Sequence, residues 1–294
     1  MADTDIRRVG ILSPGDMGAA IGSVLHQSGL EVLTCLAGRS DLTRLRAEEA
    51  GFRGVADEDE LVRSVDLVLS VLVPAEAVAV AERIAASMGR TGARPPFADC
   101  NAVAPQTVRK IEALIGGAGA TFIDAGIIGG PPRAAGGGTR FCCSGPDTSA
   151  FEALGRHGLF VRVVGAVIGQ ASGLKMVYAA STKGTTAVWT ELLVAARALG
   201  LEDALRAELG TANAVAAREL AGIPSMPRRA RRWVGEMEEI AATFEGLGLT
   251  PRILEGAADL YRFVGETALA DQTSREPDPS LDALLEALVA HLKE

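Results

Sequence analysis

Short apolar runs alternate with amphipathic segments along roughly the first 165 residues of the chain. Apolar runs bounded by polar or helix-breaking residues occur at 9–12, 30–36, 67–71, 96–99, 121–125, 140–144 and 159–164. Runs of this length and composition are typical of strands buried on both faces. Because helical stretches separate most of them, the pattern predicts an α/β domain with a doubly wound parallel sheet of the Rossmann type.

A different pattern begins near residue 165, where the segments become long, alanine-rich and helical in periodicity. Helices are predicted over 166–199, 202–220, 227–247, 250–268 and 280–293, with a polar linker over 271–280. The chain therefore divides into a sheet domain over 1–165 and an all-helical domain over 166–294. At 294 residues, the length fits two domains of about 150 residues each.

A glycine turn follows the first predicted strand. Its residues are Ser13, Pro14, Gly15, Asp16, Met17 and Gly18. The arrangement matches the G-x-G-x-x-G fingerprint of dinucleotide-binding units, with a serine in place of the first glycine. Gly15 lets a pyrophosphate approach the backbone, Gly18 lets the helix pack against the strand, and a helix starting near Asp16 presents free N–H groups to the phosphates.

The second strand ends in Gly38, Arg39 and Ser40, at the point where NAD-binding proteins usually carry an acidic residue for the ribose hydroxyls. An acid there repels a 2′-phosphate, whereas Arg39 would pair with one and Ser40 could donate a hydrogen bond to it. The sequence therefore predicts NADP(H) as the cofactor, in preference to NAD. The alternative to a cofactor site is a structural glycine turn in an α/β protein that binds no nucleotide.

Composition narrows the remaining possibilities. With a net charge of −8 and a pI of about 5.1, the chain is a poor candidate for general nucleic-acid binding. The cluster of Arg228, Arg229, Arg231 and Arg232 fits a solvated or salt-bridged helix face better. No uninterrupted apolar stretch spans a membrane and no signal-peptide pattern is visible, so we expect a cytoplasmic protein. The four cysteines and three histidines have no metal-ligand spacing, and buried thiols are expected.

Lysine is rare in this chain: only four of its 29 basic residues are lysines. Two of them, Lys175 and Lys183, lie eight residues apart at the start of the long predicted helix. They share one broad helix face with Tyr178 and Thr182. Arginine keeps its proton, whereas a desolvated lysine can release one, so these lysines are candidate acid/base groups. Two lysines extending from a helix surface are the equally weighted alternative.

Several stretches together resemble the β-hydroxyacid dehydrogenase and 6-phosphogluconate dehydrogenase superfamily. The turn at 13–18 looks like that family's G-x-G-x-M-G, residues 122–130 look like its D-A-P-V-S-G-G substrate loop, and residues 173–178 look like its catalytic-lysine segment. Residues 232–240 are similar to a phosphogluconate dehydrogenase-like subgroup whose helical domain has no settled function. The resemblance runs in order through the first 200 residues.

The resemblance implies NAD(P)-linked oxidation of a 3-hydroxy acid, or reduction of the oxo acid. It makes Lys175 the general acid/base at the substrate oxygen and places Gly129 and Gly130 beside the substrate. It also places Leu72, Val73, Pro74 and Asn101 along the cofactor, with Val73 and Asn101 flanking the nicotinamide and its ribose. The family further implies a homodimer formed through the helical domain. That domain, residues 166–294, would then both bind substrate and form the dimer interface.

Two positions depart from the family pattern. Ile128 stands where the family has a serine, and Tyr178 and Ala179 stand where it has asparagine. Both changes remove polar substrate contacts, and Ile128 suits a more apolar substrate. Tyr178 is the candidate to replace one donor, and Lys183 is the candidate cation for a substrate carboxylate or phosphate. The roles of Glu236 and Glu239 stay open.

Three functions remain in competition. The first is an NADP(H)-dependent oxidoreductase acting on a small 3-hydroxy acid or alcohol, with Lys175 as acid/base. The second is an NADPH-dependent imine reductase, favoured by Tyr178 and the apolar loop and disfavoured by Lys175. The third is a catalytically silent NADP-binding protein, suggested by the missing serine and asparagine.

Overall fold

The computed structural model describes residues 5–133, 138–210, 214–273 and 276–292, without the side chains of 214–216. The chain forms two compact units, Met1–Met176 and Val177–Glu294. The predicted domain boundary at 165/166 lies just before the helix that begins at Gln170, whereas the division between the compact units lies inside that helix.

The first unit is built on a sheet of eight strands. They are β1 (Arg8–Ile11), β2 (Glu31–Cys35), β3 (Arg53–Val55), β4 (Leu67–Ser70), β5 (Phe97–Asp99), β6 (Phe122–Ile128), β7 (Arg140–Ser144) and β8 (Phe160–Gly165). Their order in the sheet is β3-β2-β1-β4-β5-β6-β7-β8. The α/β Rossmann-type architecture predicted from the sequence is confirmed, and β3 is a strand that the apolar pattern did not predict, because Arg53 and Gly54 interrupt its hydrophobic character.

One pairing differs from the predicted parallel sheet: β6 and β7 run antiparallel, while the other neighbouring strands are parallel. The reversal pairs Gly126 with Cys142 and Ile128 with Arg140. The beginning of β7 therefore lies beside the carboxyl end of β6, where ligands bind in folds of this kind.

Thirteen α-helices accompany the sheet in the described residues. They are α1 (Asp16–Gln27), α2 (Asp41–Glu49), α3 (Glu58–Ser64), α4 (Ala77–Thr91), α5 (Pro105–Gly117), α6 (Ser149–Glu152), α7 (Gln170–Ala179), α8 (Thr185–Ala198), α9 (Glu202–Leu209), α10 (Ala214–Gly222), α11 (Pro227–Glu245), α12 (Arg252–Gly265) and α13 (Leu281–His291).

Both faces of the sheet are covered by helices, as a doubly wound fold requires. Alternating strand residues such as Val9 and Ile11 pack with Ile21 and Leu25 of α1 on one face. Residues of the opposite phase pack with α3, α4 and α5 on the other face; they include Leu33, Val68 and Phe97. The two clusters hold the strands rigidly, so the loops at the strand ends are fixed in position.

The long helix predicted over 166–199 is interrupted. It begins at Gln170 and contains a π turn at Ala180–Gly184 before α8 continues to Ala198. π turns inside α-helices occur often at functional positions. This one contains Lys183, whose backbone carbonyl accepts a hydrogen bond from the Tyr261 hydroxyl at 2.5 Å.

The second unit is helical throughout its described residues, in agreement with the sequence pattern. The helix predicted over 202–220 is two helices, because Gly210 at φ +65° ends α9. The amphipathic helices α11 and α12 pack along one another, with Trp233 against Tyr261 at a ring-centroid distance of 5.2 Å. Ser280 caps α13 by accepting the Ala283 N–H.

Candidate functional site

The glycine turn after β1 has the geometry of a phosphate-binding loop. Gly15 is the N-cap of α1, and a Cβ on it would meet nothing within 4 Å, so its backbone is open to a ligand. A Cβ on Gly18 would overlap the Ser13 carbonyl oxygen, which explains the glycine at that position. The free N–H groups of the first turn of α1 therefore lie at an open backbone, which fits the pyrophosphate of a dinucleotide.

Two other side chains of this turn have partners in the protein. The Asp16 carboxylate forms an ion pair of 2.7 Å with Arg46 of α2. Met17 is half-buried and packs against the core on the α1 face of the sheet. The Asp16 side chain therefore stays at the surface in its ion pair, whereas Met17 is anchored in the core.

Arg39 reaches back from the end of β2 to the end of β1. Its Nη2 donates to the Leu12 carbonyl oxygen at 3.0 Å, and Gly38 before it has φ +71°. Ser40 is the N-cap of α2 and accepts the Thr43 N–H at 3.3 Å. The guanidinium therefore spans the two turns between which the adenosine ribose of a bound dinucleotide lies.

A cavity of about 550 Å³ opens beside Arg39. It is lined by Leu12, Cys35, Ala37, Gly38, Arg39, Asp57, Glu58, Asp59, Leu72, Glu76, Val80, Arg83 and Arg90. Two of its carboxylates are paired with arginines, Asp59 with Arg90 and Glu58 with Arg83. The Arg90 guanidinium, followed by the Ser87 hydroxyl, lowers the pKa of Asp59 to about 2. The cavity lies at the carboxyl ends of β2 and β4, the place of the adenosine half of a dinucleotide.

The ends of β4 and β5 are joined by Asn101. Its Oδ1 accepts the Leu72 N–H at 2.5 Å, and its Nδ2 donates to the Ser70 hydroxyl at 2.9 Å. The predicted nicotinamide contact Asn101 is thus a buried connector whose amide already bonds the protein on both sides. Val73 is 51% exposed beside it and Pro74 starts a 3₁₀ turn, so the apolar surface here is Val73.

Lys175 lies above Gly126 of β6. A Cβ on Gly126 would be 2.9 Å from the Ala171 carbonyl oxygen and 3.1 Å from the Lys175 Cβ, both on α7. Only a glycine lets the helix come this close. Lys175 is half-buried, which places its stem on the sheet near the carboxyl end of β6.

The substrate loop predicted at 128–130 follows directly. Ile128 is buried, and Gly129 has φ +126°, a conformation that only glycine adopts easily. The Thr139 hydroxyl donates to the Gly130 carbonyl oxygen at 2.6 Å. This bond ties the loop to the start of β7, and the loop begins two residues beyond Gly126, the residue on which Lys175 packs.

Asp124, which the sequence reasoning did not select, holds the start of the helix that carries Lys175. Its fully buried Oδ2 accepts the N–H groups of Gly169, Ala171 and Ser172 at 2.9, 3.0 and 3.2 Å, and the Ser144 hydroxyl at 2.8 Å. Its Oδ1 accepts the Ser172 hydroxyl. The carboxylate thus caps the N-terminus of α7, the helix that carries Lys175. The signal available in the sequence was a single carboxylate, Asp124, inside an otherwise apolar strand.

Three cations surround Cys142, the β7 partner of Gly126. Burial raises the pKa of the Cys142 thiol, and the positive charges of Arg162, Arg140 and Lys175 oppose that increase. Cys142 itself packs with Ile128 and Ala171. This region of the sheet is therefore apolar at its centre and positively charged around it.

In the helical unit, Lys183 forms an ion pair with Glu236 of α11. Both side chains are nearly buried, at 12% and 11% exposure, and Arg232 lies 3.5 Å from the same carboxylate. The Lys183 ammonium is also 5.6 Å from the centroid of the Trp233 ring. Lys183, the cation predicted to bind a substrate anion, is thus paired with the Glu236 carboxylate inside the helical unit. The role of Glu236 in this structure is to neutralise that lysine.

Tyr178 lies on α7, and the arginine cluster of residues 228–232 lies on α11. Tyr178 is 43% exposed, on the same helix as Lys175. Arg228 pairs with Asp278 at 2.6 Å and Arg231 with Asp271 at 2.7 Å, while Arg229 stacks on Trp233 at 4.8 Å. The cluster is accordingly neutralised in large part within its own unit.

Over 5–133, 138–210, 214–273 and 276–292, no group of three or more histidine, cysteine, aspartate or glutamate side chains is arranged to hold a metal ion. None of the helices in those ranges combines the length and apolar character needed to cross a bilayer. All four cysteines are free thiols; Cys100, Cys142 and Cys143 are buried, while Cys35 is partly exposed.

The fold and the open glycine turn define a dinucleotide-binding domain of the Rossmann type. Comparison with protein families agrees: residues 8–157 match the NAD binding domain of 6-phosphogluconate dehydrogenase, and residues 196–264 match a domain of unknown function, DUF1932. The chain therefore belongs to the 6-phosphogluconate dehydrogenase-like family of 3-hydroxyacid dehydrogenase-related, NAD(P)-binding oxidoreductases, as the sequence resemblance predicted.

Solved structures share this fold. A conserved protein of unknown function with structural similarity to 3-hydroxyacid dehydrogenases is 33% identical, covers 88% of this chain and 99% of its own, and has a TM-score of 0.66. The 3-hydroxyisobutyrate dehydrogenase of Mycobacterium tuberculosis is 20% identical over 97% of this chain and 99% of its own, with a TM-score of 0.70. An imine reductase from Myxococcus stipitatus, solved with NAD⁺, shares the fold at 17% identity, covering 96% and 99% of the two chains, with a TM-score of 0.58.

Proposed function

We propose that the protein is an NADP(H)-dependent oxidoreductase that transfers a hydride between the nicotinamide and a small 3-hydroxy acid or alcohol, or its oxo form. The observation that carries this proposal is the position of Lys175. Its stem packs on Gly126 of β6, two residues before Ile128, in the strand that leads into the loop with Gly129 and Gly130. This is the ligand-binding edge of the sheet, to which the cofactor turn after β1 also belongs.

The residues divide the work as follows. The nicotinamide, when bound, accepts or supplies the hydride. Lys175 Nζ takes up the proton of the substrate hydroxyl during oxidation and returns it during reduction. Gly129 and Gly130 offer backbone N–H groups near the substrate, and Ile128 excludes water from one side of it. Asp124 holds the start of α7, and so holds Lys175 at a constant height over the sheet.

Arg39 supports the preference for NADP(H). The positions that follow β2 are Leu36, Ala37, Gly38, Arg39 and Ser40, which include no acid. The Arg39 guanidinium already lies across the end of β1 through its bond to Leu12. A 2′-phosphate at this point would meet a guanidinium that can bind two of its oxygens. We expect Arg39→Ala to lower NADPH affinity at least about tenfold and to leave NADH affinity nearly constant.

The central experiment follows NADPH absorbance with 3-oxo acids, aldehydes and cyclic imines, using wild type and Lys175→Ala. A positioned acid/base group contributes roughly 10²–10⁴ in rate, so Lys175→Ala should lose at least about a hundredfold in kcat and retain NADPH binding. Lys110→Ala is the matched control, because Lys110 is an exposed lysine on α5 of the same unit. Equal rates for Lys175→Ala and wild type would disprove the acid/base role.

An imine reductase is the second candidate, and Tyr178 favours it. A phenol 43% exposed on the helix of Lys175 is an alternative proton donor, and the apolar Ile128 suits a cyclic imine. Consumption of NADPH with imines alone, abolished by Tyr178→Phe and retained by Lys175→Ala, would establish this function in place of the first.

We also propose a homodimer formed through the helical unit. This unit leaves many large apolar side chains exposed: Val177, Tyr178, Val188, Leu199, Leu201, Leu247, Leu249, Ile253 and Leu292. Apolar surface of this extent in one unit usually marks an interface. Light scattering should give twice the chain mass of 30.4 kDa, and a monomeric mass would contradict the proposal.

A further inference from the structure

The first residue of β7 is an arginine placed beside the position where the substrate loop has lost its serine. In the antiparallel register, Ile128 of β6 is paired with Arg140 of β7. Residues paired in this way lie on the same face of the sheet, with Cβ atoms about 4.5–5.5 Å apart. Arg140 therefore begins at the same level and on the same face as Ile128.

A second arginine, Arg162 of β8, lies on the same face of the sheet, one strand further toward its edge. Cys142 is paired with Gly126 on one side and with Arg162 of β8 on the other. Lys175 stands over Gly126, so Lys175, Arg140 and Arg162 all belong to the face that α7 covers. The opposing effects of these three charges on the Cys142 thiol agree with that placement.

The chain also fixes the arginine next to the substrate loop. The Thr139 hydroxyl, one residue before Arg140, holds the Gly130 carbonyl, and the Thr139 Cα would be 3.0 Å from a Cβ on Gly129. The loop and the start of β7 are thus one packed element. A substrate group that reaches the Gly129 and Gly130 amides lies within reach of the Arg140 side chain.

The chemistry of this arrangement suits a carboxylate. Ile128 offers no hydrogen bond, so the loop cannot bind an anion through the side chain that its family uses. A guanidinium donates two parallel N–H groups to the two oxygens of a carboxylate, which is stronger and more directional than a single hydroxyl. Three cations on one face of the sheet also attract an anion before it docks.

We propose that Arg140, assisted by Arg162, binds the carboxylate of the substrate in place of the serine that Ile128 has replaced. The inference rests on the proposed function for the identity of the substrate, a short 3-hydroxy acid, and adds the residues that recognise its charge. The hydroxyl then lies toward Lys175, and the apolar part of the substrate lies against Ile128.

The test measures binding separately from turnover. Short 3-hydroxy acids of three to six carbons, each with its own methyl ester, are titrated by calorimetry into NADPH-loaded protein, where no hydride transfer takes place. Wild type should bind acids at least about tenfold more tightly than their esters. Arg140→Gln should lose about 10- to 100-fold in affinity for the acids and little for the esters, Arg140→Lys an intermediate amount, and Arg162→Gln less.

The control is Arg53→Gln. Arg53 is a half-exposed arginine of β3, at the opposite edge of the same sheet, and pairs with Glu31 at 2.7 Å. The Arg53→Gln variant should bind the acids with the same affinity as wild type. Unchanged NADPH affinity in Arg140→Gln shows that the variant is folded.

The outcomes separate the two proposals. If wild type binds acids through Arg140 but reduces no oxo compound, the carboxylate site stands and the proposed function fails. If acids and esters bind alike, or if Arg140→Gln loses both equally, the carboxylate site is wrong, whatever the turnover. If no member of the series binds to the NADPH-loaded protein, the carboxylate site is also wrong.

Discussion

Asp124 and Glu236 are both buried carboxylates, one in each compact unit, and they are stabilised in opposite ways. Asp124 accepts backbone N–H groups and serine hydroxyls at the start of α7. Glu236 is held by two cations, Lys183 and Arg232. The first carboxylate works as an acceptor of fixed geometry, whereas the second neutralises charge.

The difference shows what each site demands of its surroundings. N–H and O–H donors point in set directions, so Asp124 fixes the helix end that carries Lys175. An ion pair tolerates more variation in angle, but each partner leaves a costly buried charge when the other is removed. Substitutions at Asp124 should therefore affect geometry and catalysis, and substitutions at Glu236 should affect mainly stability.

Asp124→Asn has the largest expected effect. The amide keeps the shape but has one acceptor oxygen and no charge, so all the bonds now made to Oδ2 lose their charge assistance, and the bond with the Ser172 hydroxyl must reverse its direction. We expect a loss of about 3–5 kcal/mol in the free energy of unfolding, measured by urea denaturation. In the folded fraction, kcat should fall while NADPH affinity stays constant. Asp66→Asn, which alters a partly exposed carboxylate that accepts the Arg7 and Arg8 N–H groups, is the control; equal losses in the two variants would contradict the capping role.

Glu236→Gln should cost about 3 kcal/mol, the lower end of the range for a broken buried pair, since both partners keep a small exposed fraction. The double variant Lys183→Met/Glu236→Leu removes both charges and should recover most of that loss. Glu238→Gln on the same helix changes a half-exposed carboxylate that pairs with Arg262, and it should change stability little. A double variant no more stable than Glu236→Gln would show that charge compensation is not the role of the pair.

Gly126→Ala should have a smaller effect, concentrated in catalysis. A methyl group here presses on the Ala171 carbonyl and the Lys175 stem, which raises α7 by a few tenths of an ångström. Overpacking of this kind costs about 1–3 kcal/mol. We expect kcat to decrease about tenfold, because the Lys175 acid/base group is displaced from its position, although by well under about 1 Å. Gly89→Ala in α4, where a Cβ meets nothing within 4 Å, is the matched glycine control for crowding.

The smallest effect is the pH dependence contributed by Asp59, a carboxylate at the surface. Its pKa is lowered from 3.8 to about 2 by Arg90 and Ser87. A lowered folded-state pKa stabilises the fold above the unfolded value, and the contribution disappears as pH falls from about 4 toward 2. Wild type should therefore be more stable than Asp59→Asn at pH 6, and urea denaturation should show the difference narrowing by pH 2.5. A constant difference over that interval would contradict the assignment.

The sequence predicted the parts of the molecule whose determinants are adjacent in the chain. Gly15 and Gly18 lie three residues apart in one turn, and the structure places Gly15 at the N-cap of α1 and Gly18 close to Ser13 and to Ile11 of β1. The alternation of runs likewise predicted the doubly wound sheet. An apolar run does not encode its direction, however, so the antiparallel β7 could not be predicted from it.

The substrate side depends on residues far apart in sequence. The partners of Asp124 lie 20 to 48 residues beyond it, and Glu236 lies 53 residues beyond Lys183. The rarity of lysine directed attention to both lysines, but it could not show that one packs on Gly126 while the other meets a carboxylate. Arg140 went unremarked because its neighbour Ile128 becomes apparent only once the β6–β7 register is known.

The π turn at Ala180–Gly184 carries a consequence at the level of the gene. A π turn holds one residue more than an α-helical path between the same two ends, and each α-helical residue advances the helix by about 100°. Deleting a single codon within it would let the ladder close as a regular α-helix without turning α8 to a new face. Elsewhere in α7 or α8, the same deletion rotates every later side chain by that angle. This stretch is therefore the place in the long helix where a relative with one residue fewer would keep the packing of α8.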